Sequence, residues 1–173
     1  MATATAVLAN RGEWVKPRLA SRIGGEAVEL ALPNTPPALQ IDNDYWWDKI
    51  FSGMEKVLTG HEGTARRTGV GLEYRMGGKS GTAQVFSLGQ DQRYNAEELA
   101  ERLRDHALFM AFAPLEDPQI AVAVIVENAG GGSTHAAHLA RAMTDAWLLD
   151  EEEVDVEQLR ETLENDTGTV AGN

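Results

Sequence analysis

The stretch RMGGKSGTAQVF, Arg75 to Phe86, sets a lysine and a serine among three glycines. Two structures suit such a string: a loop that wraps a phosphate, or a strand whose exposed edge holds a carboxylate. The phosphate loop requires G-x-x-x-x-G-K-[ST], with a helix beginning at the lysine so that its first amides point at the anion. Gly78, Lys79 and Ser80 match the end of that pattern, but its first glycine falls on Glu73, a carboxylate opposed to a triphosphate. Gly81 follows at once, and the run from Thr82 to Phe86 has strand character rather than helical. The nucleotide reading fails on charge as well as on pattern.

A strand from Gly78 to Ser87 gives each residue a use. Lys79 offers a point charge to an anion, Ser80 and Thr82 offer hydroxyls on one face, and Gly81 removes side-chain bulk. An extended peptide could pair with such an edge, its terminal carboxylate meeting the lysine and hydroxyls. A plainer reading stays open at this point: a charged edge strand that deters aggregation.

Outward from this strand, the chain reads as alternating helices and strands. MATATAVLAN places Met1, Ala4 and Leu8 at helical spacing and stops at Asn10 and Gly12. EWVKPRLASRI alternates as an edge strand around Pro17, and the segment to Ile41 is irregular connection. Asp42 or Asn43 can cap a helix with Trp46, Trp47, Ile50, Phe51, Met54, Val57 and Leu58 on one wide apolar stripe, ended by Gly60. Both tryptophans are expected in the core or in a groove wall. Asn95 and Glu98 have capping-box spacing and open a short helix to about Asp105. ALFMAFAP and QIAVAVIVE form two strands joined by the turn LEDP, and Ser133 caps a last helix with Leu139, Met143, Ala146 and Trp147 facing inward. The order predicts an α+β fold, an antiparallel sheet flanked by helices.

Composition narrows the function classes. The 173 residues suffice for one core, and the absence of cysteine excludes disulfides and thiolate chemistry. No apolar run reaches the ~18 residues that cross a bilayer. The net charge of −12 is concentrated from Asp150 onward, where nine acidic residues face Arg160 alone. Residues 150–173 are therefore expected to be a solvated, disordered acidic tail after a domain covering 1–149. With no basic stripe, nucleic acid is not an expected partner. His135 and His138 lie one turn apart without an evident third ligand, so no metal site is assigned. GTARR, Gly63 to Arg67, reads either as a groove border or as a loop with two solvated arginines.

KSGTAQV, followed by a strand pair and a glycine-rich turn into a C-terminal helix, resembles the serine acyl-transferases of the penicillin-binding protein and β-lactamase superfamily. The blocks MATATAVLANRG, GGKSGTAQVF, YNAEELAERLRDHALFMAFAP and QIAVAVIVENAGGG look like successive blocks of the penicillin-binding protein 2 family, elongation-type class B D,D-transpeptidases. The resemblance covers about residues 1–149 and omits the tail. It implies that Lys79, Ser80, Thr82 and Gln84 bind substrate. Lys79 and Ser80 would hold a stem peptide's terminal carboxylate and help pass a proton, Gly81 would leave room, and Thr82 would lend a backbone N–H to the oxyanion hole. It implies peptidoglycan stem peptides and β-lactams as ligands and requires no cofactor. It further implies a polytopic glycan polymerase and a rod-shape scaffold as partners, and a periplasmic position on the inner membrane of a Gram-negative bacterium.

The same family needs a nucleophile in S-x-x-K and a second S-x-N element. Ser21, Ser52, Ser80, Ser87 and Ser133 are followed three places on by Gly24, Glu55, Ala83, Gln90 and Ala136, and none has asparagine two places on. The chain is therefore expected to be the C-terminal part of a transpeptidase domain, cut within its first helix, and inactive by itself. A non-catalytic β-lactam- or peptide-binding module is the alternative.

Overall fold

The computed structural model of the chain describes residues 1–20, 22–27, 36–85 and 100–149. The capping box at Asn95 and Glu98 and the acidic tail lie outside them. Three helices, α1 (Ala2–Ala9), α2 (Asp44–Thr59) and α3 (Gly132–Leu148), surround a sheet of β3 (Gly77–Ala83), β4 (His106–Ala113) and β5 (Ile120–Val126). The sheet is antiparallel in the order β3-β4-β5, with Ser80 opposite Phe109 and Phe109 opposite Val124. This is the α+β arrangement expected from the element order.

The strand alternation divides the core into two faces. Ala107, Phe109, Ala111 and Ala113 of β4 pack with Val122 and Val124 against Ala136, Ala137 and Ala140 of α3. On the opposite face Phe112 meets Trp47, Phe51 and Met54 of α2 and Ala9 of α1. The glycine pair before Lys79 serves this packing. A Cβ at Gly77 would lie 3.0 Å from the Phe112 ring, and one at Gly78 would lie 2.7 Å from the Phe109 ring. Each glycine thus leaves a socket for one phenylalanine, one on either face.

Asn43 caps α2, its side-chain oxygen accepting from the Tyr45 N–H at 2.9 Å. The expected wide stripe on α2 is narrower than its apolar residues suggest. Trp47, Phe51, Met54 and Leu58 are buried, whereas Trp46 is 57% exposed and Ile50 also faces outward. On α1 the buried residues are Thr5 and Ala9, not Met1, Ala4 and Leu8. On α3 they include Ala136, Ala137, Ala140 and Thr144, while Met143 and Trp147 point away from the sheet. In both helices the small residues face inward, where they allow close approach to the sheet.

Four further expectations change. The edge strand around Pro17 is absent; Arg22–Ile23 (β1) instead pairs with Glu26–Ala27 (β2) across a two-glycine turn. Pro17 has no N–H to give a ladder, whereas Gly24 and Gly25 take the positive φ that such a turn requires. The strand predicted to reach Ser87 ends at Ala83. Ser133 is not the cap of α3: that helix begins at Gly132 behind an extended Gly131 that has no side chain to offer. The described end of the Asn95–Asp105 helix is a 3-10 turn at Glu101–Leu103.

Two polar clusters tie the layers together. Arg75 pairs with both carboxylate oxygens of Glu55 on α2, at 2.6 and 2.8 Å, and also with Glu116 in the β4–β5 turn. Arg141 of α3 donates to the carbonyls of Thr68, Val70 and Gly71 and is held by Asp145 at 3.1 Å. Asp145 also accepts from the Tyr74 hydroxyl.

Candidate functional site

Among the described residues, β3 is hydrogen-bonded to β4 along one side only, so it is an edge of the sheet. Lys79 is exposed on this edge and opens into a cleft of about 560 Å3. Gly53, Lys56, Val57 and Gly60 of the α2 end form one wall of that cleft, and His61 to Thr64 form another. The Lys79 ammonium donates to the Ser80 carbonyl at 2.6 Å. Among the described residues no carboxylate forms an ion pair with it, although Glu62 lines the same cleft.

Ser80 projects from the other face of the strand, and its hydroxyl lies 3.1 Å from that of Thr64. Lys79 and Ser80 therefore flank the edge from its two sides, rather than presenting one face. Thr82 is exposed further along the same strand, and Gln84 is exposed just past its end. Gly81 differs from the other two glycines of the stretch. A Cβ there would meet Leu108 at 3.4 Å, an ordinary contact, so packing within the described residues does not demand glycine at this position. The start of α3 crosses above it: a Cβ at Gly132 would lie 2.3 Å from the Gly81 carbonyl oxygen and 2.1 Å from that of Leu108.

The GTARR loop combines both readings, lining two depressions while Arg66 and Arg67 stay exposed. Thr64 belongs to the Lys79 cleft and to a second depression lined by Arg66, Arg67, Ser133 and Thr134. Lys56 and His61 also reach the cleft, which the sequence reading missed. The signal was weak: Lys56 sits one turn before the Gly60 stop, and only the fold brings it into the same cleft lining as Lys79. His138 is buried with its Nδ1 3.4 Å from the Thr68 hydroxyl. Among the described residues no group of three or more His, Cys, Asp or Glu side chains is placed to hold a metal ion. No helix among them is long and apolar enough to cross a membrane.

The sequence and the fold both have known relatives. Residues 1–145 match the penicillin-binding protein transpeptidase domain. The chain is 42% identical over 149 residues to the peptidoglycan D,D-transpeptidase MrdA of Haemophilus influenzae, covering 86% of this chain and 23% of that protein. It is 39% identical over 158 residues to MrdA of Escherichia coli K12, covering 90% of this chain and 25% of that protein. In structure it is similar to Pseudomonas aeruginosa PBP2 solved in complex with WCK 5153, with a TM-score of 0.70 and 44% identity over 85% of this chain and 29% of that one. It is also similar to Helicobacter pylori PBP2 solved in complex with MreC, with a TM-score of 0.58 and 25% identity over 85% of this chain and 24% of that one. The chain thus spans about a quarter of the length of these curated relatives. It belongs to the penicillin-binding protein transpeptidase family, among relatives of the penicillin-binding protein 2 type.

Proposed function

We propose that the chain supplies the carboxylate-binding strand of a peptidoglycan D,D-transpeptidase. One observation carries the reading: in a chain of this family, Lys79 stands on a sheet edge and opens into a cleft. Lys79 and Ser80 hold the terminal carboxylate of a stem peptide, with Thr82 and Gln84 along its path. Gly81 leaves room for the ligand, and the Thr82 N–H stabilises the oxyanion. In the reaction a serine attacks the bond between two D-alanines and releases the last one. The amine of a neighbouring strand then resolves the acyl-enzyme. β-Lactams acylate the same serine.

Residues 1–149 form the domain part and 150–173 a separate acidic tail. The working protein faces the periplasm from the inner membrane. Its partners are a rod-shape scaffold of the MreC kind, as in the Helicobacter pylori complex, and a polytopic glycan polymerase.

Because the chain contains neither S-x-x-K nor S-x-N, a second reading has specific support: ligand binding without turnover. Labelled penicillin separates the two. The chain alone is expected to remain unlabelled. Fused in frame behind the upstream part of the Haemophilus influenzae relative, it is expected to be acylated. Lys79→Ala then slows that acylation about 10- to 100-fold, the scale of one lost charge-assisted hydrogen bond. Labelling of the chain alone overturns the expected inactivity, and unchanged labelling with Lys79→Ala removes the role given to that lysine.

A further inference from the structure

A hydroxyl can donate one hydrogen bond only. Whether Ser80 can bind an anion therefore depends on where its proton points, and that hydroxyl has a hydrogen-bond partner in the Thr64 hydroxyl, 3.1 Å away and 16 residues earlier in the chain. If Ser80 donates to Thr64, its proton is committed inside the protein. If Thr64 donates to Ser80, the proton is free for a ligand, and the incoming bond polarises the serine into a stronger donor.

Thr64 is held where it can do this. The Gly63 N–H bonds to the Gly60 carbonyl and the Ala65 N–H to the Val57 carbonyl, each at 2.9 Å. A Cβ at Gly63 would lie 2.5 Å from the carbonyl oxygens of both Lys56 and Val57, so the loop is wrapped against the end of α2. On the other side of Thr64, Ala65 is 2% exposed and anchored in the core. A branched side chain between two such anchors has little rotamer freedom.

We propose that Thr64 is a positioning residue for carboxylate recognition: it donates to Ser80, fixes that hydroxyl at the edge of β3 and turns its proton toward the bound anion. This rests on the proposed role of Lys79 and Ser80. A carboxylate ligand selects the donating arrangement, because the alternative faces the anion with lone pairs. A carboxamide can donate to Ser80 instead of accepting from it, and so gains nothing from the selection.

The test is a titration of the isotopically labelled chain, followed by NMR, with diacetyl-L-lysyl-D-alanyl-D-alanine and with its C-terminal carboxamide. The wild-type chain is expected to prefer the carboxylate. Thr64→Val lowers carboxylate affinity about two- to tenfold, the value of one hydrogen bond, and leaves the carboxamide unchanged. Thr64→Ser restores most of the preference. In a Ser80→Ala background Thr64→Val has no further effect, which a purely structural role of Thr64 would not produce. Unperturbed β5 amide signals report that the fold is intact. If Lys79→Gln abolishes the preference but Thr64→Val does not, or if the Thr64 and Ser80 effects add, the positioning role is wrong and the strand's function stands. If the wild-type chain shows no preference, or keeps it in Lys79→Gln, the carboxylate strand itself fails, and the role of Thr64 with it.

Discussion

The two faces of the sheet are packed by opposite means. Toward α3 the layers meet through Ala136, Ala137 and Ala140 against Ala107 and Ala111, with Phe109 as the large filler. Toward α2 they meet through Trp47, Phe51, Met54, Phe112 and Leu115, and the Phe51 and Phe112 rings stand 4.9 Å apart. One face gains from short distance, the other from side-chain volume. Their weaknesses should be reversed: the aromatic face suffers from deletion and the alanine face from addition.

The largest effect is expected from Phe112→Ala, at about 3–5 kcal/mol by urea denaturation. A cost below about 1 kcal/mol would mean that the aromatic face collapses around the gap, and the contrast would be lost. Ala140→Leu, which adds volume on the α3 side, should cost about 1–3 kcal/mol although it adds only apolar atoms. A stabilising Ala140→Leu would show free space beneath α3. Asn43→Ala removes the cap of α2 and should cost about 1 kcal/mol, with little change in the slope of unfolding against urea.

A smaller effect ties the aromatic face to pH. The hydrogen bonds from Arg75 hold the Glu55 carboxyl below the usual carboxylate range, against a partial opposing effect of burial. A depressed folded value means that Glu55 contributes stability above its unfolded pKa of about 4.3. That contribution fades as pH falls from there through the folded value. Arg75→Gln should flatten this part of the stability profile, and an unchanged acid slope would assign it to other carboxylates. The smallest effect is expected at Trp147, 63% exposed on the outer side of α3. Trp147→Ser should fall within about 0.5 kcal/mol of wild type, whereas Trp47→Ser, at a 3% exposed position, should be among the costliest changes.

This contrast also explains what the sequence made legible. β4 and β5 were readable because both are apolar runs separated by a short turn with a proline. β3 was readable because the phosphate-loop alternative demands a helix from Lys79 and a glycine at position 73, where Glu73 stands. The inward faces of α1 and α3 were only partly readable: Leu8 and Leu139 do pack half-buried against the core, but hydropathy also selects Met143 and Trp147, while the fully buried positions are Thr5, Ala9, Ala136 and Ala140. Close approach rewards the absence of volume, which a hydrophobicity count scores as weakness. At the candidate site, Lys79 and Ser80 announced themselves by chemistry. Thr64 did not, because its bond to Ser80 depends on how the loop after α2 folds back.

The three glycines of RMGGKSGTAQVF carry different constraints, and inheritance should record the difference. Every amino-acid replacement that a single-base change can produce from a glycine codon adds a Cβ. At position 78 that atom would lie 2.7 Å from a phenylalanine ring and at position 77 3.0 Å from another, so variants there should be selected against through packing whatever becomes of the proposed ligand site. At position 81 it meets, among the described residues, only Leu108 at ordinary distance, so alanine should drift in once selection for the proposed ligand is relaxed. A gene released from selection on the proposed ligand site would then lose its third glycine before its first two.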